Sequence, residues 1–327
     1  MATSSPHNAR ERDADITPTP PRLATRDDTR GGSIAQRVTA HIIDALNNGV
    51  RPWVQPWDSA TALGLPLRHN GVPYKGINVV ALWAAAQTHG YKSRHWLTFK
   101  QALALGGAVR RGERGQPIIY YSDGAPANDG EGVAPPRRAV LRAYVAFNAD
   151  QIAGLPVHFY APAITPPADN ETELEARLAR VPAAIQHGGA RACYNPATDT
   201  IYLPPRHSFV SGAQFYSTLL HELGHWSGHS TRLARDLQPR SSLAAYAREE
   251  LVAEFTSAFL GAELGLAADH VEDHSAYLDA WFKILDCDPG ALLTAAGHAQ
   301  RATDFLRPFL FEPSAAQATQ RADDGAG

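Results

Sequence analysis

The sequence predicts an α+β protein in two parts: a small N-terminal domain of mixed helices and strands, then a mostly helical domain with a short sheet. Three observations lead there. Segments of helical and strand period alternate up to about residue 160, whereas almost everything after Ser211 repeats at helical spacing. Charge divides the same way: residues 31–160 hold 13 Lys and Arg against 7 Asp and Glu, a balance of +6, while residues 161–327 hold 12 against 21, a balance of −9. The run HELGH stands at 221–225, inside the helical part. With 327 residues, 44% of them hydrophobic, the chain is long enough for two domains.

Residues 1–30 are rich in Ser, Thr, Pro, Asp and Arg and nearly free of large apolar side chains, which predicts a disordered arm. A helix follows, capped by Ser33, with Ile34, Val38, Ile42, Ile43 and Leu46 at helical spacing and Gly49 as its stop. Residues 52–73 read as irregular and hold Trp53 and Trp57. Further helices are predicted over 78–88, ended by Gly90, and 98–105, ended by Gly106 and Gly107. Strands are predicted at 117–122 (PIIYYS) and 140–147 (VLRAYVAF), around a Gly/Pro/Ala-rich loop at 123–136. A linker near 162–170 gives domain boundaries of 31–162 and 170–311, with a disordered tail over 312–327. The second domain should open with a helix over 171–180 and a hairpin within 192–203. Helices over roughly 211–227, 242–264, 270–285 and 289–306 should complete it.

Two cysteines, Cys193 and Cys287, are too few for a disulfide framework. The opening MATSSPHNARERDAD has no apolar stretch of a secretory leader, and no run approaches the ~18 apolar residues of a membrane span. The expectation is a soluble cytoplasmic protein with no membrane partner.

The HELGH run carries the chemistry. Ser211 and Gln214 form a capping-box pattern that starts a helix, and Phe215, Leu219, Leu223 and Trp226 give it an apolar stripe. His221 and His225, four apart, project from one face and can share an ion, with Glu222 between them as the general base for an activated water. The chain's 14 histidines make a chance H-E-x-x-H rare, at roughly 0.02 expected matches. A catalytic zinc needs a third protein ligand and an open position. Thr231 stands where a metzincin would place its third histidine, and His229 is two residues early. The run AYAREELVAEF supplies acidic side chains on an otherwise apolar helix. Glu250 is assigned as ligand and Glu254, one turn later on the same face, as the group behind a histidine ring. The reverse assignment stays open, as does Glu249 as ligand. Tyr246 is a core residue or an oxyanion donor.

Four of the six tryptophans fall between Trp53 and Trp96, among many basic residues. Aromatic rings on a cationic track bind single strands without reading sequence. The residues expected to line such a track are Trp53, Trp57, Tyr74, Lys75, Asn78, Trp96, Lys100, Arg110 and Arg111. Core packing of the rings is the alternative at each.

On these runs the chain resembles the ArdC antirestriction family, whose N-terminal domain also opens TraC-type plasmid primases. The matching stretches include RPWVQPWD (51–58), PYKGINVVALW (73–83), WLTFKQALALGGAVRRGERGQPIIYY (96–121) and VAFNADQIAGL (145–155). RACYNPATDTIYLPP (191–205), LLHELGHWSGHSTRLAR (219–235) and YAREELVAEF (246–255) look like the family's zincin-like metallopeptidase half. The resemblance covers about residues 33–311. It implies single-stranded-DNA binding by the first half, a metal site in the second (zinc, with manganese as the alternative), and protection of plasmid or phage DNA from restriction on entry. It implies no peptidase requirement for that protection. A metalloprotease cutting a host regulator or restriction subunit, and a binding module whose metal only ties helices together, are the competing readings.

Overall fold

The structure, a computed structural model, describes residues 34–48, 52–53, 64–122, 140–160, 171–237, 243–266, 288 and 290–311. The expected arm, Trp57, the 123–136 loop, the linker, the 270–285 helix and the tail lie outside the described residues. In chain order the elements are α1 (Ile34–Asn47), β1 (Leu67–Arg68), α2 (Ile77–His89), β2 (His95–Thr98), α3 (Phe99–Ala104), β3 (Ala108–Val109), β4 (Gln116–Ser122), β5 (Val140–Asn148) and β6 (Ile152–Ala153). The second part follows as α4 (Glu171–Leu178), β7 (Ala184–His187), β8 (Cys193–Asn195), β9 (Thr200–Leu203), α5 (Gly212–Ser227), α6 (Leu243–Leu264) and α7 (Ala291–Phe311). The α+β expectation is met.

The first sheet runs β1-β2-β5-β4, with β1 parallel to β2 and the other pairs antiparallel. In the β4–β5 ladder Ile118 faces Tyr144 and Tyr120 faces Arg142. Beside it β3 and β6 form a two-stranded sheet. The sheet of the second half is β7-β9-β8: the expected hairpin is β8–β9, and β7 adds a parallel partner on the far side of β9.

α2 is apolar on every side, and a helix of that kind must be enclosed. Ile77 and residues 79–86 are all buried. Gly90, at φ 69°, ends it: this left-handed conformation is one glycine adopts without strain, and its N–H reaches the Ala86 carbonyl. α1 and α2 share one core with α6 and α7. Trp53 meets Phe255 edge-on at 5.0 Å between centroids, and Trp83 meets Phe259 at 6.0 Å. A second core gathers Ile201 and Leu203 of β9, Leu219, Leu220 and Leu223 of α5, and Leu306 and Leu310 of α7. α7 continues past the expected end at 306, through Pro308 to Phe311. A proline so near the end of a helix disrupts only its final turn, and Arg180 donates to the Leu310 carbonyl at 3.1 Å there.

The approach of α5 to α6 depends on Gly224. A Cβ on it would stand 3.0 Å from the Cα of Ala253, so the HELGH glycine lets the two backbones come close enough for imidazoles on one helix to meet carboxylates on the other. Gly224→Val is expected to destabilise the fold by about 1–3 kcal/mol, the usual cost of overpacking, and to weaken metal binding with it. Urea denaturation and a zinc titration of the same variant check this; an unchanged midpoint would show that the helices separate freely.

Candidate metal centre

α5 begins where Ser211 caps it: its side chain accepts from the Gln214 N–H at 3.1 Å, and the Gln214 side chain returns to the Val210 N–H at 2.8 Å. Two turns on, His221 and His225 leave the same face. Their Nε2 atoms are 3.2 Å apart. The Glu250 carboxylate on α6 completes a triangle, with Oε2 3.4 Å from His221 Nε2 and Oε1 3.7 Å from His225 Nε2. Two donors each about 2.0–2.1 Å from a tetrahedral ion stand about 3.3–3.4 Å apart, so the three spacings fit a small divalent cation. Among the described residues, this is the group of His, Cys, Asp and Glu side chains with converging donor atoms. Two imidazoles and one carboxylate are a zincin donor set, and they leave one coordination position for water or substrate.

The surrounding charges explain the local titration. Burial would lower the His221 pKa, but Glu250, Glu254 and Glu222 outweigh it and push it up to about 10. Burial likewise works to raise the Glu250 pKa, while His225 and His221 bring it down to about 2. A field that holds a proton on an imidazole this strongly also favours a dication in its place.

Glu254, fully buried on α6, has Oε1 3.7 Å from His221 Nδ1, behind that ring. Glu249 is turned toward His225 instead, with Oε1 3.2 Å from Nδ1, and Arg235 grips both its oxygens. Sequence alone offers Glu249 only as a possible ligand, and its adjacency to Glu250 is the one local signal of a role here. Arg235, in the loop after α5, was missed, because no local pattern joins it to a residue 14 positions on. His229 lies outside the donor group and turns to Thr231 Oγ1 at 2.8 Å.

Glu222, His221, His225 and Glu250 line a cavity of about 250 Å³. Tyr246, hydrogen-bonded to Glu250, and Tyr194 stand in its wall. Tyr194 is fixed by its bond to Asp199 Oδ1 (2.8 Å), and Asp199 by Arg232 (2.9 Å), whose guanidinium lies 3.9 Å above the Trp226 ring. This chain of contacts ties β8 to the end of α5.

The residues expected to line a nucleic-acid track divide. Trp53 and Trp96 are 1% and 2% exposed, so neither ring has a face for a base. Tyr74 is buried too: its hydroxyl donates to the Trp96 carbonyl at 3.2 Å, and burial pushes its pKa up to about 12. Asn78 clamps β4, donating to the Ile119 carbonyl at 2.7 Å and accepting from its N–H at 2.8 Å. These four are corrected to structural roles, because the helix–sheet core claims large rings before a ligand can. Lys75, Lys100, Arg110 and Arg111 are exposed; Lys75 pairs with Asp304 and Arg110 with Glu113. The rings left open are ones the sequence reading did not select. Tyr120 and Tyr144, 49% and 42% exposed, lie on one face of the β4–β5 ladder, 6.2 Å apart, with Arg142 opposite Tyr120.

The fold and the centre together define a protein with a zincin-like metal half joined to a distinct N-terminal domain. Comparison with known proteins gives the same division: residues 32–147 match the N-terminal domain of anti-restriction factor ArdC, and residues 172–298 match a zincin-like metallopeptidase. The chain is 36% identical over 284 residues to the uncharacterized protein y4eC of Sinorhizobium fredii, covering 84% of this chain and 91% of that one. It is 38% identical over 314 residues to the DNA primase TraC of Escherichia coli, covering 88% of this chain but 28% of the primase. Crystal structures of antirestriction protein ArdC from plasmid R388 superpose with a TM-score of 0.72. The metal-free form is 38% identical and covers 85% of this chain and 98% of ArdC; the Mn(II)-bound form is 37% identical and covers 86% and 100%. The chain belongs to the ArdC antirestriction family. No helix among the described residues is long and apolar enough to cross a membrane.

Proposed function

We propose that this protein binds single-stranded DNA through its N-terminal half, protects entering plasmid or phage DNA from restriction, and holds a divalent metal on His221, His225 and Glu250. Zinc is the ion this donor set suits best; manganese, present in the R388 relative, is the alternative. The observation that carries the nucleic-acid reading is the pair of open tyrosine rings beside Arg142. Open π-faces accept any base, and a neighbouring cation serves the phosphates. The excess of basic residues in 31–160 and the likeness to proteins named DNA primases support it.

A gel-shift comparison of one oligonucleotide, single-stranded and annealed, tests the reading: the single strand should bind tighter, and equal or better duplex binding would count against it. Tyr120→Ala and Tyr144→Ala should each weaken single-strand binding about 5- to 150-fold, the range for losing one stacked base. Full affinity in the double variant would move the track elsewhere.

The cavity at Glu222 favours a second reading, a metalloprotease. A bound divalent ion would supply Lewis acidity to a substrate carbonyl. Glu222, buried between the two imidazoles in sequence and open to the cavity, would take a proton from water and return it to the departing amine. Tyr246, in the cavity wall and bonded to Glu250, would have to exchange that carboxylate for the carbonyl oxygen to support it.

A further inference from the structure

We propose that Glu249 and Arg235 are positioning residues for His225: they fix which ring nitrogen faces the metal and hold Glu249 itself out of the ligand set. The proposal rests on the metal reading above. His225 turns Nε2 toward His221 and Glu250, at 3.2 and 3.7 Å. A ring that ligates through Nε2 carries its proton on Nδ1, and that nitrogen lies 3.2 Å from Glu249 Oε1. Donation to a carboxylate fixes this tautomer and the ring plane and makes Nε2 more basic.

Glu249 is in turn gripped by a two-pronged fork. Arg235 Nε donates to Oε2 at 3.0 Å and Nη2 to Oε1 at 2.8 Å. The Arg235 side chain is 4% exposed. Its other donations go to the Gly224 carbonyl at 2.6 Å and Ser227 Oγ at 2.9 Å, both on α5. Gly228 leaves room for the guanidinium, since a Cβ there would stand 2.7 Å from Arg235 Nη2. The contacts close a circuit: His225 on α5, Glu249 on α6, Arg235 in the loop after α5, and back to α5 at the Gly224 carbonyl just before His225 and the Ser227 hydroxyl two residues after it. Four carboxylates surround or adjoin the imidazoles: Glu222, Glu249, Glu250 and Glu254. With both oxygens of Glu249 engaged, that carboxylate does not compete for the open coordination position.

The test uses the full chain, titrated with zinc against a chromophoric chelator, with the metal-free melting temperature recorded for each variant. Glu249→Gln should weaken zinc binding about 10- to 100-fold, the usual cost of losing a partner behind a ligand. It should also shift the slowly exchanging imidazole Nδ1–H resonance of the zinc-loaded protein upfield, because an amide oxygen accepts more weakly than a carboxylate. That variant leaves Arg235 buried beside a neutral group, which by itself costs stability. The double variant Glu249→Leu with Arg235→Met removes both charges and the acceptor at similar volume, and it should fold yet show the same weakening and lose that slowly exchanging Nδ1–H resonance altogether. A folded double variant with wild-type zinc affinity, or with the His225 resonance intact, would overturn the proposal. A wild-type protein that takes up no zinc, manganese or other divalent ion in this titration would instead overturn the metal reading beneath it.

Discussion

Wild-type protein dialysed against zinc is expected to retain one equivalent, whereas His221→Ala and Glu250→Ala should each lose more than about 100-fold in affinity. Even residues that only support a ligand cost 10–100-fold when removed, and these two supply donor atoms to a triangle of 3.2, 3.4 and 3.7 Å. Elemental analysis after dialysis, with chelator competition for the constants, checks both variants. Direction with pH follows from the site's charges. In the metal-free protein the neighbouring carboxylates hold the His221 proton up to about pH 10, and an imidazole must be neutral to ligate. Zinc uptake at neutral pH should therefore release protons, and affinity should fall as pH is lowered. One full equivalent of zinc in the Glu250→Ala protein would take that carboxylate out of the ligand set.

Glu222→Gln is expected to have the second large effect, confined to proton transfer at the proposed site. The change keeps the shape of the side chain and leaves the three donors in place, so metal content and single-strand affinity should match wild type. Any peptide hydrolysis should fall about 100- to 10,000-fold, the usual contribution of a positioned proton-transfer group. Restriction protection in a plasmid-transfer assay should survive, because coating the strand needs no proton transfer at Glu222. Protection lost while DNA and metal binding persist would instead assign it to cutting.

Much of this was legible in the sequence for physical reasons. α5 announces itself through a cap three residues from its partner and a metal pair four apart, all signals local to one helix. α2 and α6 are long apolar runs bounded by breakers. What stayed hidden depends on distant partners. β1, β3 and β6 are two residues each, and β2 was absorbed into an aromatic, basic stretch that looked like a binding track. β7 exists because β9 pairs with it in parallel, which no neighbouring residue encodes. Trp53 and Trp96 misled for a related reason. Composition records that a large ring is present but not whether Phe255 or Tyr91 already occupies its surface. The ligand side of the site could be read; the Arg235 contact, formed across a loop, could not.

The shared packing of Trp53 and Trp83 against Phe255 and Phe259 has a consequence for how the protein can be dissected. Ancestry draws a seam between residues 147 and 172, but the apolar interior runs straight across it. A fragment ending at that seam would bare Trp53 and Trp83 on one side and Phe255 and Phe259 of α6 on the other. Isolated halves are thus different molecules from the intact chain, and insolubility in either would reflect a bared interior rather than a missing activity.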